Sequence, residues 1–190
     1  MSHPEAFAFL QTRRSRPYKL LSAPVPDRAA LEPILQAAAR VPDHGKLEPW
    51  RFVVLEAPAM ARLAEAAVVR GRELGKAEED IEKMRFQLAA APLAVAVVAS
   101  PKTSEKIPAI EQTLSAGAAC LSLLNAALAA GWGANWLSGW ASHDPVFLER
   151  TLGLSAGETL GGFVHIGTAS ATPPERPRPD MDAITTWVTE

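Results

Sequence analysis

An α+β fold, a small sheet enclosed by helices, is what this 190-residue sequence predicts. Three observations carry that expectation. Leu93 to Ala99 (LAVAVVA) is apolar without a break, as a strand buried on both faces must be. Other stretches place apolar residues three and four apart, the spacing of one helix face. The elements do not alternate regularly between strand and helix, and no strand–GxGxxG–helix or GxxxxGK[ST] segment is present, so the chain carries no Rossmann fingerprint.

Taken in order, the first element is a short helix from about Pro4 to Thr12, with Phe7, Leu10 and Phe9 facing inward. It ends at a basic knot, and Pro17 opposes its continuation. After a loop with Pro24 and Pro26, Asp27 is placed to cap a helix running to Arg40 with Leu31, Ile34, Leu35 and Ala38 on one face. Val41 to Pro49 holds two prolines and a glycine, which makes it a loop. Arg51 to Glu56 reads as a strand. Pro58 then opens a helix to about Leu74, and a polar, acidic helix follows from about Lys76 to Ala90.

After the buried strand, the longest helix spans about Ile107 to Ala130, with Gly131 suited to its C′ position. Gly133 to Ser138 is a weak strand. Asp144-Pro145 starts a short helix that ends near Leu152, and Leu160 to Gly167 is the last strand. A proline-rich stretch, 173–179, forms an extended tail, and Met181, Ile184, Trp187 and Val188 beyond it suggest that the chain docks again. No repeat or linker divides the chain, so 1–190 reads as one domain.

Hydrophobic residues at 48%, charged residues at 21% and a net charge of −2 describe an ordinary globular chain and argue against nucleic-acid or membrane-surface partners. The single cysteine, Cys120, makes no intrachain disulfide and reads as a small core residue. The N-terminus lacks a signal-peptide core, and Leu114 to Ala130 is too weakly apolar to span a bilayer, which makes the cytoplasm the default location.

Arg13-Arg14-Ser15 places two guanidinium forks and a hydroxyl where a helix gives way to a loop, a group able to grip phosphate or simply to form a solvated turn. Arg40 and the loop Pro42-Asp43-His44-Gly45-Lys46 make a second cluster. Adjacent Asp43 and His44 do not converge on one ion, and no HxxxH or HxH partner exists, so no metal site is expected. Trp132, Trp136 and Trp140 recur every four residues around two glycines, either as core or as a wall beside a flat ligand. The small face of Ser115 to Ala119 suits close helix packing or a subunit interface. No Ser-His-Asp set, nucleophile elbow or carboxylate pair stands out, so if the chain is an enzyme a cofactor brings the reactivity.

In order, R-R-S at 13–15, R-x-P-D-H at 40–44, P-W-R-F at 49–52, E-Q-x-x-S-A-G-A-A at 111–119, A-A-L-A-A-G-W-G at 126–133, W-L-S-G at 136–139 and G-F-V-H-I-G-T at 162–168 cover most of the chain. Together they resemble the nitroreductase family of FMN flavoproteins, particularly its short single-domain members. The resemblance implies a small mixed sheet surrounded by helices and an intertwined homodimer with two FMN sites at its interface. Arg13, Arg14 and Ser15 would hold the phosphate and ribityl end. Arg40, His44, Trp136, Leu137 and Ser138 would reach the flavin from the other subunit. Ala126 to Gly131 matches a stretch assigned to nicotinamide dinucleotide in similar proteins.

The implied chemistry is ping-pong hydride transfer from NADH or NADPH through flavin N5 to a nitroaromatic or quinone-like acceptor. Dehalogenation or flavin breakdown on the same fold, and a non-catalytic helical binding protein, are the alternatives. Two departures stand out. Pro17 occupies the place where many relatives carry Lys or Arg, with Arg16 the nearest cation, and Leu137 stands where some short relatives have Arg. Arg176 and Arg178 in the tail match the late basic residue that the family often uses for phosphate, or else lie exposed.

Overall fold

The computed structural model of the chain describes residues 2–90 and 92–190. Its elements follow the local signals closely. Helix α1 covers Pro4–Thr12, and strand β1 is the short Leu21–Ser22. Asp27 caps α2 (Arg28–Ala38), its carboxylate accepting from the Ala30 N–H at 2.8 Å. Strand β2 (Trp50–Glu56) runs directly into α3 (Ala57–Glu73), with Pro58 in the first turn, where a missing N–H costs nothing. Helix α4 (Glu78–Ala89) leads to β3 (Leu93–Ala99), all seven of whose residues are buried.

Helix α5 (Ala109–Ala129) ends in a Schellman motif: Gly131 at φ 87° donates to Leu128 O, and Trp132 donates to Ala127 O. Then come β4 (Gly133–Leu137), α6 (Pro145–Leu152), β5 (Thr159–Ala169) and the four-residue α7 (Met181–Ile184). Asp144 caps α6 and also takes a two-pronged ion pair from Arg70 of α3 at 2.9 and 3.0 Å, which clamps the two helices together.

The α+β expectation holds, but the sheet is antiparallel at every pairing among the described residues rather than mixed. Its path is β1-β5-β3-β2, and β4 also pairs with β5. Two helices, α3 and α4, connect β2 to β3. Each reverses the chain, so β3 starts from the end of the sheet where β2 finished. A single helix, α5, connects β3 to β4 and leaves them pointing the same way, but β5 lies between them and opposes both.

β3 alternates its side chains between two cores. Ala94, Ala96 and Val98 pack with Phe163, Phe147 and Leu63 under α3, α4 and α6. Leu93, Val95 and Val97 pack with Val164, Leu123 and Ile34 under α2 and α5. Helix α5 is apolar and long enough to pass for a membrane span, contrary to the sequence expectation, but Ala116, Ala119, Cys120, Leu123 and Ala127 bury it against the sheet.

Two other expectations fail at the surface. Phe7 and Leu10 of α1 are 64% and 59% exposed, with Phe9 half-buried. Met181, Ile184, Trp187 and Val188 are exposed as well, so the tail does not dock its apolar residues on its own chain.

Candidate functional site

The basic turn begins because Arg13 leaves helical geometry for extended backbone, at φ −56° and ψ 141°. Its far end is tied to the sheet: the Arg16 N–H donates to Ala134 O of β4 at 2.8 Å. Between these points Arg13, Arg14 and Arg16 line a cavity of about 820 Å3, faced by Trp132 and Gly133 at the start of β4 and by Thr168 and Ser170 at the end of β5. Gly133 is required here, since a Cβ would lie 2.7 Å from Leu21 and 2.8 Å from Ala169.

Arg13 donates through Nη2 to Ser15 Oγ at 3.0 Å, but its Nε and the Nη1 of Arg16 are buried without a partner. Burial, with Arg178 and Arg14 nearby, pushes the Arg13 guanidinium below its ordinary pKa. Arg14 donates to Pro174 O at 2.6 Å and faces Glu175 at 3.6 Å, while Arg178 pairs with Glu175 at 3.0 Å. Crowded guanidiniums with orphaned donors favour an anion with several acceptor oxygens, as a phosphate has.

Further along β4, the three tryptophans separate. Trp132 is half-buried in the cavity wall. Trp140 packs against Phe147 with ring centroids 6.4 Å apart. Trp136 is 38% exposed, its indole N–H donating to Gly161 O at 3.0 Å. Leu137 is half-buried beside it, and exposed Ser138 opens onto a smaller cavity against α4.

Arg40 and His44 line neither cavity within the chain. Arg40 is exposed past the end of α2, and His44 Nδ1 donates to Glu111 of α5 at 2.7 Å. The Pro42–Glu48 loop is shaped by Asp43, which accepts from Leu47 and Glu48 N–H groups at 3.1 and 2.8 Å. Trp50 donates to Ser115, which donates to Pro42 O, so the loop is fastened to α5 by the very residues of its E-Q-x-x-S motif.

Sequence reasoning gave Arg16 no binding role and left out the hydroxyls of Thr168 and Ser170. A usable signal was the run Thr168 to Thr172, small and polar directly after an apolar strand. Of the stretch Ala126 to Gly131, Leu128, Ala130 and Gly131 reach the cavity, while Ala127 is buried in the core. His165, also unassigned, is fully buried with both ring nitrogens unpartnered, and burial pushes its pKa down to about 4.

The fold is thus a helix-wrapped antiparallel sheet that carries a basic, tryptophan-walled cavity. The family model described as "Nitroreductase family" matches residues 10–168, and the chain belongs to that family, one of FMN-dependent oxidoreductases. The Escherichia coli protein named "Putative NAD(P)H nitroreductase YdjA" is 34% identical over 164 residues, covering 86% of this chain and 88% of its own. A Haemophilus influenzae protein under the same functional name is 38% identical over 169 residues, with the same coverage. Among solved structures, a nitroreductase-like protein from Bacillus cereus superposes with TM-score 0.80 at 19% identity, covering 99% of this chain and 98% of its own. A Desulfovibrio desulfuricans structure in complex with FMN gives 0.73 at 18% identity, with full coverage of both chains. At these identities the structures speak for the fold alone.

Proposed function

We propose that residues 1–190 form a single FMN-binding domain, working in the cytoplasm as a homodimer, that oxidises NADH or NADPH and reduces nitroaromatic or quinone-like acceptors in alternate half-reactions. The observation that carries the reading is the basic cavity, where the buried Nε of Arg13 lacks the partner that a phosphate would supply. Arg13, Arg14 and Ser15 hold the phosphate and ribityl end. Arg40, His44, Trp136, Leu137 and Ser138 of the second copy complete the flavin site; this fits the position of Arg40 and His44 outside the cavity of their own chain.

FMN bound by these residues would supply the redox chemistry that links nicotinamide oxidation to reduction of the acceptor. The side chains bind, orient and exclude water, and no residue acts as a nucleophile. With Pro17 in the place of the family's usual cation, Arg16 supplies the positive charge that the cavity offers to an electron-rich ring.

The test is an anaerobic absorbance spectrum of the FMN-reconstituted protein before and after NADH or NADPH. Flavin bands that bleach with a nicotinamide and return with a nitroaromatic or a quinone support the reading. A protein that retains no FMN overturns it.

A further inference from the structure

Beyond Trp136, where β4 ends, Ser138 and Gly139 open onto the second cavity, of about 290 Å3, whose opposite wall is α4. That volume is at the lower end of the ~300–1,000 Å3 typical of small-molecule clefts, room for a single-ring compound. Its walls are Trp140 and Met84, and its polar groups are Lys76, Lys83, Gln87 and one carboxylate, Asp80.

Gln87 is only 8% exposed, yet its side-chain Nε2 has no hydrogen-bond partner. It stands next to the mouth of the site: a Cβ built on Gly139 would lie 4.0 Å from Nε2 and 2.8 Å from Met84 Sδ. A buried amide donor without an acceptor is costly, and a ligand oxygen relieves that cost. Lys76 holds its ammonium 5.2 Å from the centroid of the Trp140 ring. Among the described residues neither Lys76 nor Lys83 has a carboxylate within ion-pair distance, and Asp80 pairs with neither. One ammonium over the aromatic wall, a second lysine at the exposed rim and one unfilled amide donor therefore line the cavity.

We infer that this cavity is the acceptor subsite and that it selects small planar acceptors carrying a carboxylate, held by Lys83, Lys76 and the Gln87 amide. The inference rests on the proposed placement of Ser138 at the flavin. An anion here is attracted by two cations against one carboxylate, while the ring of the acceptor lies along Trp140 and Met84. Both lysines come from an otherwise acidic segment, α4 and the turn before it, but of its carboxylates only Asp80 lines the cavity.

The experiment is isothermal titration of the FMN-reconstituted protein with benzoate and with its neutral analogue benzamide, while the flavin spectrum is recorded in parallel. Benzoate is expected to bind at least about tenfold more tightly than benzamide and to shift the flavin bands. Lys83→Met, at an exposed position, removes about tenfold from benzoate affinity, the loss of one charge-assisted hydrogen bond, and leaves benzamide and bound FMN unchanged. Gln87→Leu also weakens benzoate. Equal binding of the two ligands, benzoate binding indifferent to Lys83→Met and Gln87→Leu, or binding that leaves the flavin spectrum untouched each overturns the inference with the flavin reading intact. A sample that holds no FMN fails the flavin reading instead, and the acceptor assignment falls with it.

Discussion

His165 sits in β5 opposite Ala94 of β3 and Asn135 of β4, with the Tyr18 ring edge-on 6.3 Å away. Nothing nearby pairs with its imidazolium, so burial alone sets its pKa near 4, against 6.5 in an unfolded chain. The folded state therefore binds fewer protons than the unfolded state between those values. The stabilisation is complete above pH 6.5 and is lost as pH falls toward 4. Unfolding in that window is expected to take up about one proton more than in a His165→Leu variant, measured from the pH dependence of urea midpoints; identical slopes would show that the imidazole is not buried neutral. Cys120 is the simpler case. Its full burial pushes the thiol up to about 12, which agrees with the core role read from its place in an alanine-rich helix.

At the scale of elements, Gly162 and Trp136 depend on each other. Gly162 has φ 147°, and a Cβ there would run into the Trp136 indole; the β3–β5 register shifts beside it, between Val97 and Val98. Gly162→Ala is expected to cost about 1–3 kcal/mol and to make Trp136 more accessible to iodide quenching. An unchanged melting temperature with unchanged quenching would contradict that packing. Caps and breaks were legible because they are local: Asp27, Asp144, Pro58 and Gly131 act on backbone within a few residues. The tryptophan spacing was not, because one residue of the three turns outward only where two glycines thin the neighbouring strand. The antiparallel sense of the sheet was illegible for a related reason. It depends on whether one helix or two return the chain, and on which strand then slips between its neighbours.

Across the whole molecule, several apolar residues remain exposed on the single chain, among them those that the sequence reading placed inward in α1 or docked in the tail. They include Phe7 and Leu10 on α1 and Trp187 and Val188 in the tail, and Ile110, Leu114 and Leu121 on α5 are exposed as well, apolar surface of the kind that a second copy can cover. Light scattering is expected to give the mass of two 20.3 kDa chains, and truncation after residue 172 to weaken that dimer; a monomer at micromolar concentration would contradict the shared site. Arg40 and His44 lie outside the cavity of their own chain, and only the family resemblance, not their spacing in the sequence, connects them with it.

The phosphate grip itself is the most direct point of attack, and it is best measured by titrating the protein with FMN and with riboflavin under one set of conditions. FMN is expected to bind at least about 100-fold more tightly, with most of that advantage lost in Arg13→Met, because orphaned guanidinium donors gain charge-assisted bonds only from the phosphate. Equal affinity for FMN and riboflavin would mean that the basic cavity is not where the cofactor is held.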